Sequence, residues 1–141
     1  MARIHIKLPE RFRFSTEIPV YRLHINAGGH LDNALLLTIV SEARSRYFKF
    51  LGYSELDVEG YSIIVTDAAV QYLSEGFPDD VMVVEMAFGE ANKYGGDLIW
   101  RMSALDDRRE VARGKTGFVF RDRAQGKIAL MPKTFFANTH D

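Results

Sequence analysis

The stretch that decides the fold is Ile25–Gly52, "INAGGHLDNALLLTIVSEARSRYFKFLG". Its opening residues include glycines, a histidine, an aspartate and asparagines, the residue types that turns and helix starts favour. From Leu31 to Leu51 the pattern is helical. Leu35, Ile39, Ala43 and Tyr47 recur at a spacing of four, and Leu36, Val40 and Leu51 flank that stripe. The first turns, "ALLLTIV", are apolar almost all round, which predicts burial on most sides. The second half, "EARSRYFKF", keeps a polar face. Gly52 is placed to close the helix in a left-handed cap.

Outward from the helix the period changes to two. Upstream, "EIPVYRLHI" (Glu17–Ile25) alternates and predicts a strand. Downstream of Gly60 come "YSIIVTDAAVQYL", "DVMVVEMAFGEA", "DLIWRMSAL" and "VARGKTGFVFR", each with one apolar face. Met82, Val84, Met86 and Phe88 share one such face, and Leu98, Trp100, Met102 and Ala104 another. Turn residues in "EGFPDD", "NKYGGD", "DDRRE" and "RAQGK" separate the strands. Short connections predict an antiparallel meander. The expected class is therefore α+β, a long central helix wrapped by an antiparallel sheet of about five strands. One helix cannot cover both faces of such a sheet, so self-association is expected.

The composition bounds the function. The chain has 141 residues, 47% hydrophobic, with a net charge of −1 and no cysteine. That length suits one domain with a real core. The charge gives no footprint for nucleic acid. Absence of cysteine excludes disulfides, thiolate metal sites and a cysteine nucleophile. No apolar run is long enough for a membrane span, and the basic N-terminus lacks the apolar core of a secretory signal. A cytoplasmic location is the expectation. No HExxH, serine-nucleophile elbow or phosphate-binding loop occurs, so neither a metal nor a resident cofactor is expected.

The local motifs carry the reading further. "HIN" at His24–Asn26, "GHLDN" at Gly29–Asn33 and "SEAR" at Ser41–Arg44 stand in sequence, and "GKIALMP" follows late in the chain at Gly126–Pro132. This order resembles the hotdog-fold thioesterases of the 4-hydroxybenzoyl-CoA and acyl-CoA thioesterase branch. There a strand ends in Asp-x-Asp, followed by a motif such as GHVNN and a helix with EEAR. The resemblance runs from Thr16 to Pro132. It implies one hotdog domain over residues 1–141, with 1–15 an N-terminal extension and 133–141 a C-terminal tail. It implies hydrolysis of a thioester, with coenzyme A entering as part of the substrate, and a homodimer or a dimer of dimers.

One departure falls at the catalytic position. Asn26 stands where the family usually has its aspartate, and His24 stands at the first aspartate. A neutral amide cannot serve as general base or carboxylate nucleophile. Plant-type acyl-carrier-protein thioesterases resemble this chain in pairing Asn with His, as in N-x-H-V-N-N. The resemblance therefore points to Asn26, His30 and Glu42 as catalytic candidates. Gly28, Gly29, Asp32, Asn33, Arg121 and Arg123 are substrate-binding candidates. Gly28 and Gly29 would let backbone approach a ligand, and the helix start would offer N–H groups to an oxyanion.

Each residue also has a plainer role. Gly28-Gly29 is a turn before a helix. Asp32 is first of all a helix cap. Glu42 precedes Arg46 by one turn and suits a surface ion pair. His24 points to the core or an interface, while His5 and His140 are solvated near the termini. Arg121, Arg123, Lys127 and Lys133 form a basic cluster that either meets solvent or holds nucleotide phosphates. The expected activity is an acyl-CoA or acyl-carrier-protein thioesterase. The alternatives are an acyl-thioester binding protein without turnover and a hydratase or dehydratase on the same fold.

Overall fold

The computed structural model describes residues 2–139; His140 lies outside the described residues. The elements in order are β1 (Phe14–Pro19), a short 3-10 turn (Arg22–His24), α1 (Leu36–Phe50), β2 (Ser62–Tyr72), β3 (Val81–Ala91), β4 (Gly95–Ala104), β5 (Glu110–Asp122), β6 (Lys127–Ala129) and α2 (Lys133–Thr139). All strands belong to one antiparallel sheet ordered β1-β3-β4-β5-β2, with β6 beside β5.

The expected central helix and antiparallel sheet are both present. The simple meander is not. β3, β4 and β5 follow one another, but β2 lies at the far edge, paired with β5. The connection from Leu73 to Asp80 crosses the sheet instead of turning back. Three strand spacings are only about 15 Å, and eight residues can reach about 26 Å. A short loop therefore did not require neighbouring strands.

The strand expected over Glu17–Ile25 ends early. Pro19 is the last ladder residue of β1, in keeping with its place on an edge strand. After Val20 N–H donates to Asp80 O at 2.9 Å, Tyr21 N–H turns to the Nδ1 of His24 at 3.0 Å. The helix also begins later than its apolar pattern suggests, at Leu36 rather than Leu31. Its last turn closes as expected, with Gly52 at φ +94°.

The core lies between α1 and the inner face of the sheet. Leu36, Ile39, Val40, Ala43, Tyr47 and Phe48 from α1 are buried against Met82, Val84, Met86, Leu98, Trp100 and Met102. Full burial of a side chain of this size stabilises by about 1.5–3 kcal/mol. Residues expected to form a C-terminal tail instead build α2. Its Phe135 is fully buried, 5.1 Å from the Phe120 ring and 5.8 Å from Phe48.

The outer face of the sheet is partly covered by the chain itself. Ile6 is buried there; its N–H donates to Gln71 at 3.2 Å and its carbonyl accepts from Arg113 at 3.3 Å. Phe12 lies under the Arg101 guanidinium. The edge of β2 is open, with Ile64 and Val65 exposed.

Candidate active site

The corner between β1 and α1 is built around the side chain of Asn26. Its Oδ1 accepts the N–H of Gly28 at 3.0 Å and of His30 at 3.3 Å. Its backbone N–H donates to His30 O at 2.9 Å, and its carbonyl accepts the Gly29 N–H at 3.0 Å. This is an Asx-type turn, the reason Asn suits such a place. Gly29 takes φ +82°, which an L side chain would adopt only with strain. The N–H groups of Gly28, Gly29 and His30 therefore already have acceptors within the loop.

Asp32 takes the plainer of its two roles. Its Oδ2 accepts from the N–H of Ala34 and of Leu35, both at 3.0 Å. Leu36 N–H then donates to Asp32 O at 2.9 Å. Asp32 thus caps the turn at 33–35 that leads into α1. Asn33, next in line, accepts the Tyr72 hydroxyl on its carbonyl at 2.7 Å. Burial raises the Tyr72 phenol above its ordinary value, and the charge of Asp32 raises it further, so the hydroxyl stays a donor.

The other wall of the corner was not singled out in the sequence. It is the β2–β3 connection, Ser74–Phe77. Leu31 N–H donates to Gly76 O at 2.8 Å, stitching the two loops together. Glu75 Oε2 stands 3.5 Å from His30 Nδ1. The Phe77 ring lies 5.3 Å from the His30 ring. Arg109 braces this wall: its Nε donates to Glu75 O at 3.1 Å, its other nitrogens reach Asp80 and Asp107, and its guanidinium covers Phe77. A cavity of about 140 Å³ opens here, lined by Leu31, Asn33, Leu36, Tyr72, Ser74 and Glu75 among others. The sequence signal for this wall was thin. "SEGFPDD" has turn composition, and only its place in the sheet brings it to His30.

Two groups of expected residues lie elsewhere. Glu42 holds Arg46 at 2.8 Å, and Arg46 reaches across to Thr16 Oγ1 and Glu17 O on β1. Arg121 sits opposite Ser62 on β5, and Arg123 donates to Leu56 O. Val111 borders the cavity, and β5 runs from there about 33 Å to Arg121 at some 3.3 Å per residue. Within one chain the basic cluster and the Asn26 corner are at opposite ends of the sheet. His24 is half-buried, with Nδ1 accepting from Tyr21, and His5 is exposed. Among the described residues no group of three or more His, Cys, Asp or Glu side chains is arranged to hold a metal ion. No helix among them is long and apolar enough to cross a membrane.

Comparison with known proteins bears on the family and the fold. A family model described as the thioesterase-like superfamily matches residues 22–138. Among solved structures, a 1,4-dihydroxy-2-naphthoyl-CoA thioesterase from Synechocystis superposes with a TM-score of 0.80 at 18% identity, covering 91% of this chain and 96% of that one. A thioesterase-superfamily protein from Jannaschia gives 0.83 at 15% identity, covering 93% and 83%. A Staphylococcus aureus protein solved in complex with CoA gives 0.79 at 17% identity, covering 95% and 85%. Among curated proteins nothing matches. At these identities the structural likeness establishes the fold, which is that of the hotdog thioesterases.

Proposed function

This chain belongs to the thioesterase-like superfamily, and on that premise we propose that it hydrolyses an acyl-CoA thioester to a carboxylate and free coenzyme A. The observation that carries the reading is the Asn26–His30 loop, whose His30 lies 3.5 Å from Glu75, a residue that lines a small cavity before α1. A thioester needs little more than a cradle for its oxyanion and a base for water, because a thiol of pKa roughly 8.5 leaves without strong acid help.

In this reading the acyl group enters the cavity of about 140 Å³. A space of about 150 Å³ holds a benzene ring, so the acyl group is a single ring or a short chain. His30 takes a proton from water, and the hydroxide oxygen bonds to the carbonyl carbon. The oxyanion is met by the Asn26 amide and the N–H of Asn33 at the helix start; one well-aimed donor is worth about 2.7–4 kcal/mol. Collapse breaks the C–S bond. The imidazolium returns its proton to the thiolate, and the new carboxylic acid loses its own to solvent. Glu42, engaged with Arg46, takes no part.

The nucleotide end calls for a second subunit. The open β2 edge supports a two-fold, antiparallel pairing of β2 with its copy. That pairing sets the Tyr72 end of one β2 beside the Ser62 end of the other, and Ser62 is in register with Arg121. The partner subunit's Arg121 and Arg123 then reach the CoA phosphates, although each is remote from the corner of its own chain.

A second reading, an acyl-thioester binding protein without turnover, is favoured by one observation, the neutral Asn26 at the carboxylate position. A panel of acyl-CoAs with colorimetric detection of free thiol separates the two, and the protein has no cysteine of its own to react. Thiol release from a single-ring or short acyl-CoA supports hydrolysis. Binding of the same compounds without release, with Asn26→Asp creating turnover, supports the second reading.

A further inference from the structure

We propose that Glu75, on the β2–β3 connection, is the carboxylate of this site. It holds the His30 imidazole by Nδ1 and leaves Nε2 to act as the base. The inference deepens the thioesterase reading and rests on it for its kinetic part; its structural part stands on geometry.

The imidazole is asymmetric in its surroundings. Nδ1 is buried and makes no well-directed hydrogen bond, while the side chain as a whole is 41% exposed. The open part of the ring is therefore on its other atoms, Nε2 among them. A buried ring nitrogen without a partner is rare enough to need an explanation. The carboxylate at Nδ1 is Glu75, 3.5 Å away on a side chain that is 63% exposed. The neighbouring carboxylates have other partners. Asp32 caps the turn into α1, Asp80 and Asp107 hold Arg109, and Glu42 holds Arg46.

The backbone under Glu75 is fixed from both sides. Its carbonyl accepts from Arg109 Nε–H, and the next carbonyl, Gly76 O, accepts from Leu31 N–H. Phe77 lies against the imidazole, and Arg109 covers Phe77. A ring packed against Phe77 and held at one nitrogen presents the other in a defined direction, the arrangement a base requires. Glu75 borders the cavity, but in the reaction it acts through His30 by fixing the Nδ1–H tautomer, so it is a positioning residue. This separates the two tasks that a single aspartate would perform at position 26. Asn26 shapes the loop and meets the carbonyl, while the negative charge arrives from the opposite wall.

The test compares the full-length protein with Glu75→Ala and Glu75→Asp. Nitrogen-15 shifts of the imidazoles are read at pH about 8, above the ordinary histidine range, with His30 assigned by its loss in His30→Gln. His24 supplies an internal control: its Nδ1 accepts from Tyr21 N–H, so its proton sits on Nε2. The expected result is the opposite tautomer at His30, with the proton on Nδ1. Glu75→Ala should turn His30 into a mixture and leave His24 unchanged, which also shows that the corner is still folded. With a hydrolysed acyl-CoA, Glu75→Ala should lower kcat about 10- to 100-fold at unchanged KM. That is less than the ~10⁴ of a buried triad aspartate, because water screens an exposed carboxylate. Glu75→Asp should recover part of both signals. An unchanged His30 tautomer in Glu75→Ala, or an unchanged kcat, overturns the proposal. If the wild type hydrolyses no acyl-CoA, the thioesterase reading fails and the tautomer alone decides the pairing.

Discussion

Leu31 and Gly76 are so close that a Cβ placed on Gly76 would stand 2.9 Å from the Cβ of Leu31 and 3.0 Å from its Cδ2. The Leu31 N–H bond to Gly76 O depends on that approach. Gly76→Ala should force the two loops apart and destabilise by about 1–3 kcal/mol, as overpacking commonly does. Urea denaturation followed by circular dichroism measures the change. A midpoint equal to the wild type's would show that the contact is not tight.

Asp32 separates a cap from a base. Asn is as good a cap as Asp, and Ala is not. Asp32→Asn should keep both stability and thioesterase turnover, while Asp32→Ala should cost about 1 kcal/mol. Loss of turnover in the stable Asp32→Asn protein would instead make the carboxylate chemical.

The alkaline limit of stability follows from the tyrosines. Burial raises Tyr47, against smaller opposing effects of the Phe88 N–H and Arg13. Burial also raises Tyr53, with Glu59 adding to it, and Tyr72, with Asp32 adding to it. A folded value above the unfolded one means that folding favours the protonated phenol. The contribution is complete below about pH 10 and is lost as pH climbs through the raised values. The urea midpoint should be flat between about pH 8 and 9.5 and fall beyond about pH 10. No fall by about pH 11 would contradict the shifts.

The β2 edge predicts the assembly. Val65 is 41% exposed in the single chain, and a charge there should prevent edge-to-edge pairing. Sedimentation should give a dimer for the wild type and a monomer for Val65→Lys. Thiol release should fall with dimerisation, since the partner subunit's Arg121 is then missing. A Val65→Lys dimer would place the interface elsewhere.

Much of this architecture is legible from local pattern. The apolar stripe of α1, the left-handed cap at Gly52 and the inner faces of β3, β4 and β5 all follow from periodicity, because each is settled by neighbours in the chain. What periodicity does not carry is pairing. Nothing local says that β2 joins β5, since the alternation of "SIIVTDAAVQY" suits either neighbour. The candidate site divides along the same line. Asn26, Gly29 and His30 belong to one loop and could be found together. Glu75, Phe77 and Arg109 reach that loop only through the crossing connection, and in the sequence they read as turn residues and a surface arginine. Glu42 looked catalytic by motif position, but its own helix supplies Arg46 one turn on, and local geometry favours the ion pair.

The crossing connection also sets an order of events in synthesis. β1 waits for β3, and β2 waits for β5, so no strand made before Val81 has its partner when it emerges. The ladder β3–β4–β5 can close by successive hairpins, and the two edges must then be added over long loops. Such non-local pairings are the slow steps of folding. Until β3 and β4 are made, α1 holds an apolar face with no sheet to cover it, and this half-made chain is the one most exposed to aggregation.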